Sequence, residues 1–152
     1  MNIEEFENLI RDIVKKSNRL KNEHTDQKNA KVNYAAIFCQ NDEEYNNFLN
    51  LANQSGRVFK ETPTGPLFLI NLDTKSGKLK LLKIRKPDET REERGDADFT
   101  VDDYDSFKEN YLSKPGFSLI KKTDFEMIEL IDLNFNVRTY FSNPPLDQQF
   151  GL

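Results

Sequence analysis

The sequence predicts an α+β fold: two tandem βαβββ modules forming a curved mixed sheet around a cleft, preceded by an N-terminal amphipathic helix. Three observations predict it. Residues 94–112 read as a short strand running straight into an amphipathic helix, and residues 32–52 show the same pattern. The elements that follow each stretch come in the same order, at an offset of about 60 residues. A few anchor points also match: Tyr45-x-x-Phe48 with Tyr104-x-x-Phe107, Gly56 with Gly116, and Asp73 with Asp132, each aspartate opening the last hairpin of its half.

Taken in order, residues 2–21 form the first helix. Ile3, Phe6, Ile10, Ile13, Val14 and Leu20 recur at helical spacing, and Leu9 widens the apolar stripe. Asn2 caps it, with Glu5 as the capping-box partner. Such a helix packs on a larger body or on a second subunit. Residues 21–31 are polar and aperiodic and read as a linker, in which His24 is solvated. Residues 1–31 are therefore the helix and linker, 32–86 the first module, 94–141 the second and 142–152 a tail, in one compact domain overall.

In the first module, 32–39 is a strand and Asn41 caps a helix whose apolar face is Tyr45, Phe48, Leu49 and Ala52. Strands follow at 58–62, 67–72 and 78–85, separated by the turns 63–66 and 73–77. Residues 86–93 are charged, contain Pro87 and read as the connection between modules. The second module has a strand at 96–101 and a helix capped by Asp102 or Asp103. Its later strands are 117–122, 125–131 and 137–141, and the Pro-rich tail is expected to be extended.

Composition narrows the function classes. The 152 residues carry a net charge of −4, which favours neither nucleic acid nor an anionic membrane. Twelve Phe and five Tyr supply the bulk of a core. One cysteine, Cys39, excludes an internal disulfide and a cysteine-based zinc site. There is no apolar run of membrane-spanning length, and the acidic N-terminus is unlike a signal peptide, so a cytoplasmic protein is expected. The basic run 75–86 reads as a lysine-guarded strand that resists edge-to-edge pairing. No phosphate-binding loop, nucleophile elbow or zinc-protease motif is present.

Two tandem βαβββ modules over residues 32–141 resemble the vicinal oxygen chelate superfamily, which includes glyoxalase I, the bleomycin-resistance proteins and extradiol dioxygenases. The resemblance rests on the order of elements. It implies a half-barrel from each module, a cleft between them, and, in metal-dependent members, His, Glu or Gln ligands on the first and last strands of each module. Carried over by strand alternation, those positions fall on Tyr34, Lys80 or Leu82, Asp96 and Thr139. One carboxylate without an imidazole departs from the metal-dependent pattern. The resemblance therefore implies a metal-ligand-poor member.

The residues themselves suggest what the cleft could hold. Asp96 and Asp98 share a strand face about 6–7 Å apart, where two charges repel by about 2–3 kcal/mol at an effective dielectric near 20. If both are enclosed, either one carboxyl has a raised pKa or a cation sits beside them; Arg85, Arg91, Arg94 and Arg138 are the candidates. Glu129, among apolar residues, has Arg138 as its natural partner. The expected ligand-binding set is Tyr34, Asp96, Asp98, Glu129, Arg138 and Thr139, serving metal-independent small-molecule binding, with a homodimer left open. One alternative is a lyase, isomerase or dioxygenase using a divalent cation at Asp96, Asp98 and Glu129. The other is a protein-interaction module whose N-terminal helix carries the interface and whose cleft is filled.

Overall fold

The structure, a computed structural model, describes all 152 residues. Helix α1 (Ile3–His24) starts where expected. Asn2 Oδ1 accepts from the Glu5 amide at 2.8 Å, and the Glu5 carboxylate accepts from the Asn2 amide at 3.3 Å. It runs past the expected end, so His24 is its last residue rather than part of a linker. Strand β1 (Lys31–Phe38) follows, then α2 (Asp42–Ser55), capped by Asn41. The chain continues through β2 (Arg57–Lys60), β3 (Leu67–Thr74), β4 (Gly77–Arg85) and β5 (Gly95–Thr100). Of the two candidate caps, Asp103 starts α3 (Tyr104–Tyr111), accepting from the Ser106 amide. Strands β6 (Phe117–Lys121), β7 (Glu126–Leu130) and β8 (Val137–Asn143) complete the sheet. The tail is not wholly extended: Leu146–Gln149 form the short helix α4, anchored by buried Leu146. No helix is long and apolar enough to cross a membrane.

The eight strands form one mixed sheet in the order β2-β3-β4-β1-β5-β8-β7-β6. The order β2-β3-β4-β1 on one side and β6-β7-β8-β5 on the other are alike. β1 pairs parallel with β4, and β5 parallel with β8. β1 and β5 meet antiparallel at the middle, with Ala35 opposite Ala97. The basic strand β4 lies inside the sheet, so its lysines do not guard an edge; the edges are β2 and β6.

One face of the sheet carries the main core. Phe6, Ile10, Ile13, Val14 and Leu20 of α1 are at most 1% exposed and pack with Ile37, Phe99, Val137 and Phe141. This packing explains the helix: its apolar stripe is buried on its own sheet and is not left for a partner. Gly95 permits the close approach. A Cβ there would lie 2.2 Å from the Ala36 carbonyl oxygen and 3.0 Å from Ile13 Cδ1. Gly95→Ala should therefore lower the unfolding free energy by about 1–3 kcal/mol, measurable by urea denaturation.

The opposite face holds a smaller apolar cluster of Leu67, Leu81 and Leu146, beside a cleft. Alternation along the central strands sends every second side chain to this cleft. The register between β3 and β4 shifts between Leu69 and Leu72 of β3; on β4, Leu79 joins the main core and Leu81 the smaller cluster.

Candidate functional site

The cleft has a volume of about 400 Å³. Its floor comes from four adjacent central strands. Lys83 of β4 lies opposite Ala36 of β1, Ala36 opposite Asp96 of β5, and Asp96 opposite Arg138 of β8. In the next row Tyr34 lies opposite Asp98, and Asp98 opposite Tyr140. Apolar side chains, among them Ile120, Phe125, Met127 and Phe150, complete the wall.

The two aspartates differ sharply in their surroundings. Asp98 is fully buried and well served: its carboxylate accepts from Asn33 Nδ2 at 3.0 Å, from the Ser142 amide at 3.1 Å and from the Ser142 hydroxyl. Burial pushes its carboxyl up to about 6, against those hydrogen bonds. Asp96 is 7% exposed, and its Oδ1 meets no donor. Burial pushes this carboxyl up to about 7, helped by the Asp98 charge and opposed by Arg91, Arg85 and Lys83. Lys83 moves toward neutrality from the other side: burial, with the Arg85 charge, lowers its ammonium to about 8. Burial also holds the Tyr34 phenol well above its ordinary range.

A polar chain flanks this floor. Arg91 Nη1 donates to the Tyr140 hydroxyl at 3.0 Å, and Tyr140 donates to Glu129 Oε2 at 2.5 Å. Arg138 reaches Glu129 at 3.2 Å and Glu93 at 2.7 Å. The expected Glu129–Arg138 pair is thus present, with Glu93 as a second acceptor.

The expected site residues fall into three groups. Tyr34, Asp96 and Asp98 line the cleft. Glu129 and Arg138 lie beside it and neutralise each other. Thr139 is a correction: it faces α1, where its hydroxyl donates to the Ser17 carbonyl at 2.8 Å. The reason is register. Val137, Thr139 and Phe141 are the core side of β8, leaving Arg138, Tyr140 and Ser142 to the cleft side. The apolar Val137 and Phe141 flanking Thr139 are the signal that places it in the core. Thr139→Val should cost about 1 kcal/mol of stability by chemical denaturation, without weakening any ligand bound in the cleft.

Similarly, neither Lys80 nor Leu82 occupies the last-strand cleft position on β4; Leu82 is in the main core, and Lys83 and Arg85 face the cleft. Of the candidate cations, Arg85 and Arg91 line it, whereas Arg94 binds Glu44 at 2.8 Å. Alternation also missed Tyr140 and Arg91, the latter because it comes from the charged connection before β5.

Asp96, Asp98 and Glu129 do not converge as a cation-binding set, since Asp98 and Glu129 are taken up by other partners. The three metal-ligating groups that do converge are Glu23, His24 and Asp132, away from the cleft. There His24 Nε2 lies 2.9 Å from Asp132 Oδ2, and its ring packs edge-on against Phe117. His24 is therefore a packed, paired residue and not a freely solvated one. Cys39 is buried, its thiol pushed up to about 12 by burial, and behaves as a small apolar side chain.

The sequence matches no protein-family model and no curated protein. In structure the chain is similar to the structural-genomics protein EC4020, with a TM-score of 0.63 and 12% identity over 93% of this chain and 90% of that one. The chain shares that protein's fold. It is also similar to a glyoxalase/bleomycin resistance protein/dioxygenase superfamily member from Vibrio splendidus 12B01, with a TM-score of 0.48 and 10% identity. That match covers 74% of this chain and 97% of the other.

Proposed function

We propose that this chain is a glyoxalase/bleomycin-resistance-like protein that binds a small molecule, without a resident metal, in the cleft between two βαβββ modules at 32–86 and 94–141. One observation carries the reading: the buried Asp96 side chain lines the cleft and has an enclosed oxygen with no protein partner, among walls that mix apolar side chains with cationic ones. A buried acceptor left unpaired is costly to a fold, and a ligand donor would satisfy it. A few polar groups converging among apolar walls is the make-up of a small-ligand site.

The test is a small-molecule library screened by amide NMR. Binding should shift the amides of Tyr34, Ala36, Asp96 and Lys83 together, and Asp96→Ala should reduce the ligand-induced thermal stabilisation. Shifts confined to other surfaces, or stabilisation unchanged in Asp96→Ala, would defeat the proposal.

A second reading, proton-transfer catalysis on the same floor, is favoured by Asp96 standing at about 7 and Lys83 at about 8. Both can exchange protons near neutral pH, as a general acid or base must. Turnover of a bound ligand, lost in Asp96→Asn while binding persists, is its distinguishing result.

A further inference from the structure

The balance of charge around the cleft narrows its ligand. Four cationic side chains, Lys83, Arg85, Arg91 and Lys122, line it, against the two aspartates. Burial reduces the charge of Asp96 and of Lys83 alike, which leaves Arg85, Arg91 and Lys122 as the surplus over Asp98. Arg85 Nη2 reaches Asp88 at 3.3 Å, but its buried Nε has no acceptor. The Arg91 side chain makes one hydrogen bond, to a neutral hydroxyl, that of Tyr140. Lys83 and Asp96 stand on either side of Ala36, about 10 Å apart across two inter-strand spacings, with only a methyl group between them. The protein leaves hydrogen-bonding capacity unused at two enclosed atoms, Asp96 Oδ1 and Arg85 Nε.

We propose that the cleft takes a small carboxylic acid bearing a hydroxyl group. This deepens the cleft-binding reading above and rests on it. The ligand's carboxylate lies among Lys83, Arg85 and Arg91, where the excess positive charge is focused by apolar walls. Its hydroxyl donates to Asp96, and its apolar body packs against Phe125, Met127 and Phe150. A hydroxyl suits Asp96 better than an ammonium group does, because an ammonium would sit beside three like charges.

Four probes separate the parts of this proposal by calorimetry and amide NMR at pH 7.5. They are α-hydroxyisocaproate, isocaproate (no hydroxyl), isohexanol (no carboxylate) and leucine (an ammonium in the hydroxyl's place). α-Hydroxyisocaproate should bind about tenfold more tightly than each of the others, a difference of about 1.4 kcal/mol. Arg91→Gln should weaken it about tenfold, and Asp96→Asn should remove its advantage over isocaproate. Thermal unfolding of both variants confirms that they fold.

Isohexanol or leucine binding as tightly as the hydroxy acid overturns the ligand class. If those probes still shift the Tyr34 and Asp96 amides, the cleft-binding reading survives. No binding of α-hydroxyisocaproate at about 10 mM, well above a millimolar Kd, also overturns the class. The library screen then decides the cleft reading separately.

Discussion

Asp96→Asn should stabilise the unliganded protein by about 2–4 kcal/mol at pH 8. The wild-type carboxyl is raised in the fold from the ordinary aspartate value of 3.8 to about 7. A carboxyl raised by folding is better tolerated in its protonated form. Its contribution is fully favourable below the unfolded value and is lost as pH rises through the folded one. Wild-type stability should therefore fall between pH 4 and pH 7, and the variant should lack this part of the fall. Asp98 leaves a smaller dependence in both proteins, ending near pH 6. Urea denaturation across this range checks both the gain and its pH profile. A residue whose neutral isostere stabilises the empty protein is retained against its own stability, as site residues often are.

Deleting residues 1–24 should abolish cooperative folding. Helix α1 contributes Phe6, Ile10, Ile13, Val14 and Leu20 to the main core, all at most 1% exposed. At about 1.5–3 kcal/mol for each buried side chain, their sum rivals the entire stability of a typical domain, about 5–15 kcal/mol. Two hydrogen bonds also tie the helix to β8, from Ser17 to the Arg138 carbonyl and from Thr139 to the Ser17 carbonyl. Scanning calorimetry of the truncated chain should show no unfolding transition. A soluble truncated chain with an intact transition would instead make α1 an appendage available to a partner, as the interaction-module alternative requires.

The α+β class was legible because its signals are local. The period of Phe6, Ile10, Ile13 and Val14, the caps at Asn2 and Asn41, and the turn residue Asp132 each act over a few positions; Asp73, expected to open a turn, is instead paired with Lys78 inside β3. The cleft floor was legible at Tyr34 on β1 and on β5, where two acidic residues alternate with Ala97 and Phe99 and so declare their face. On β4, Leu79 and Leu82 both join the main core while Leu81 joins the smaller cluster, and a plain period-two reading does not choose Lys83 over Lys80. On β8, Thr139 looks polar enough for a cleft, yet its hydroxyl serves the helix above. Arg91 could be named only as one of four candidate cations: it reaches the cleft from an irregular segment, where no periodicity fixes direction. His24 was misread because the apolar stripe of α1 ends at Leu20, while the helix continues on its Lys21 contacts. There the Lys21 amine is hydrogen-bonded to Asn22 and the Gln27 carbonyl.

The central claim is that Asp96 is an unpaired, buried carboxyl held ready for a ligand. Carbon-detected NMR titration of the Asp96 side-chain carboxyl in the unliganded protein tests it most directly. A midpoint near 7 is expected; a midpoint near the ordinary aspartate value of 3.8 would mean that the carboxyl is solvated or already paired, and would contradict the claim.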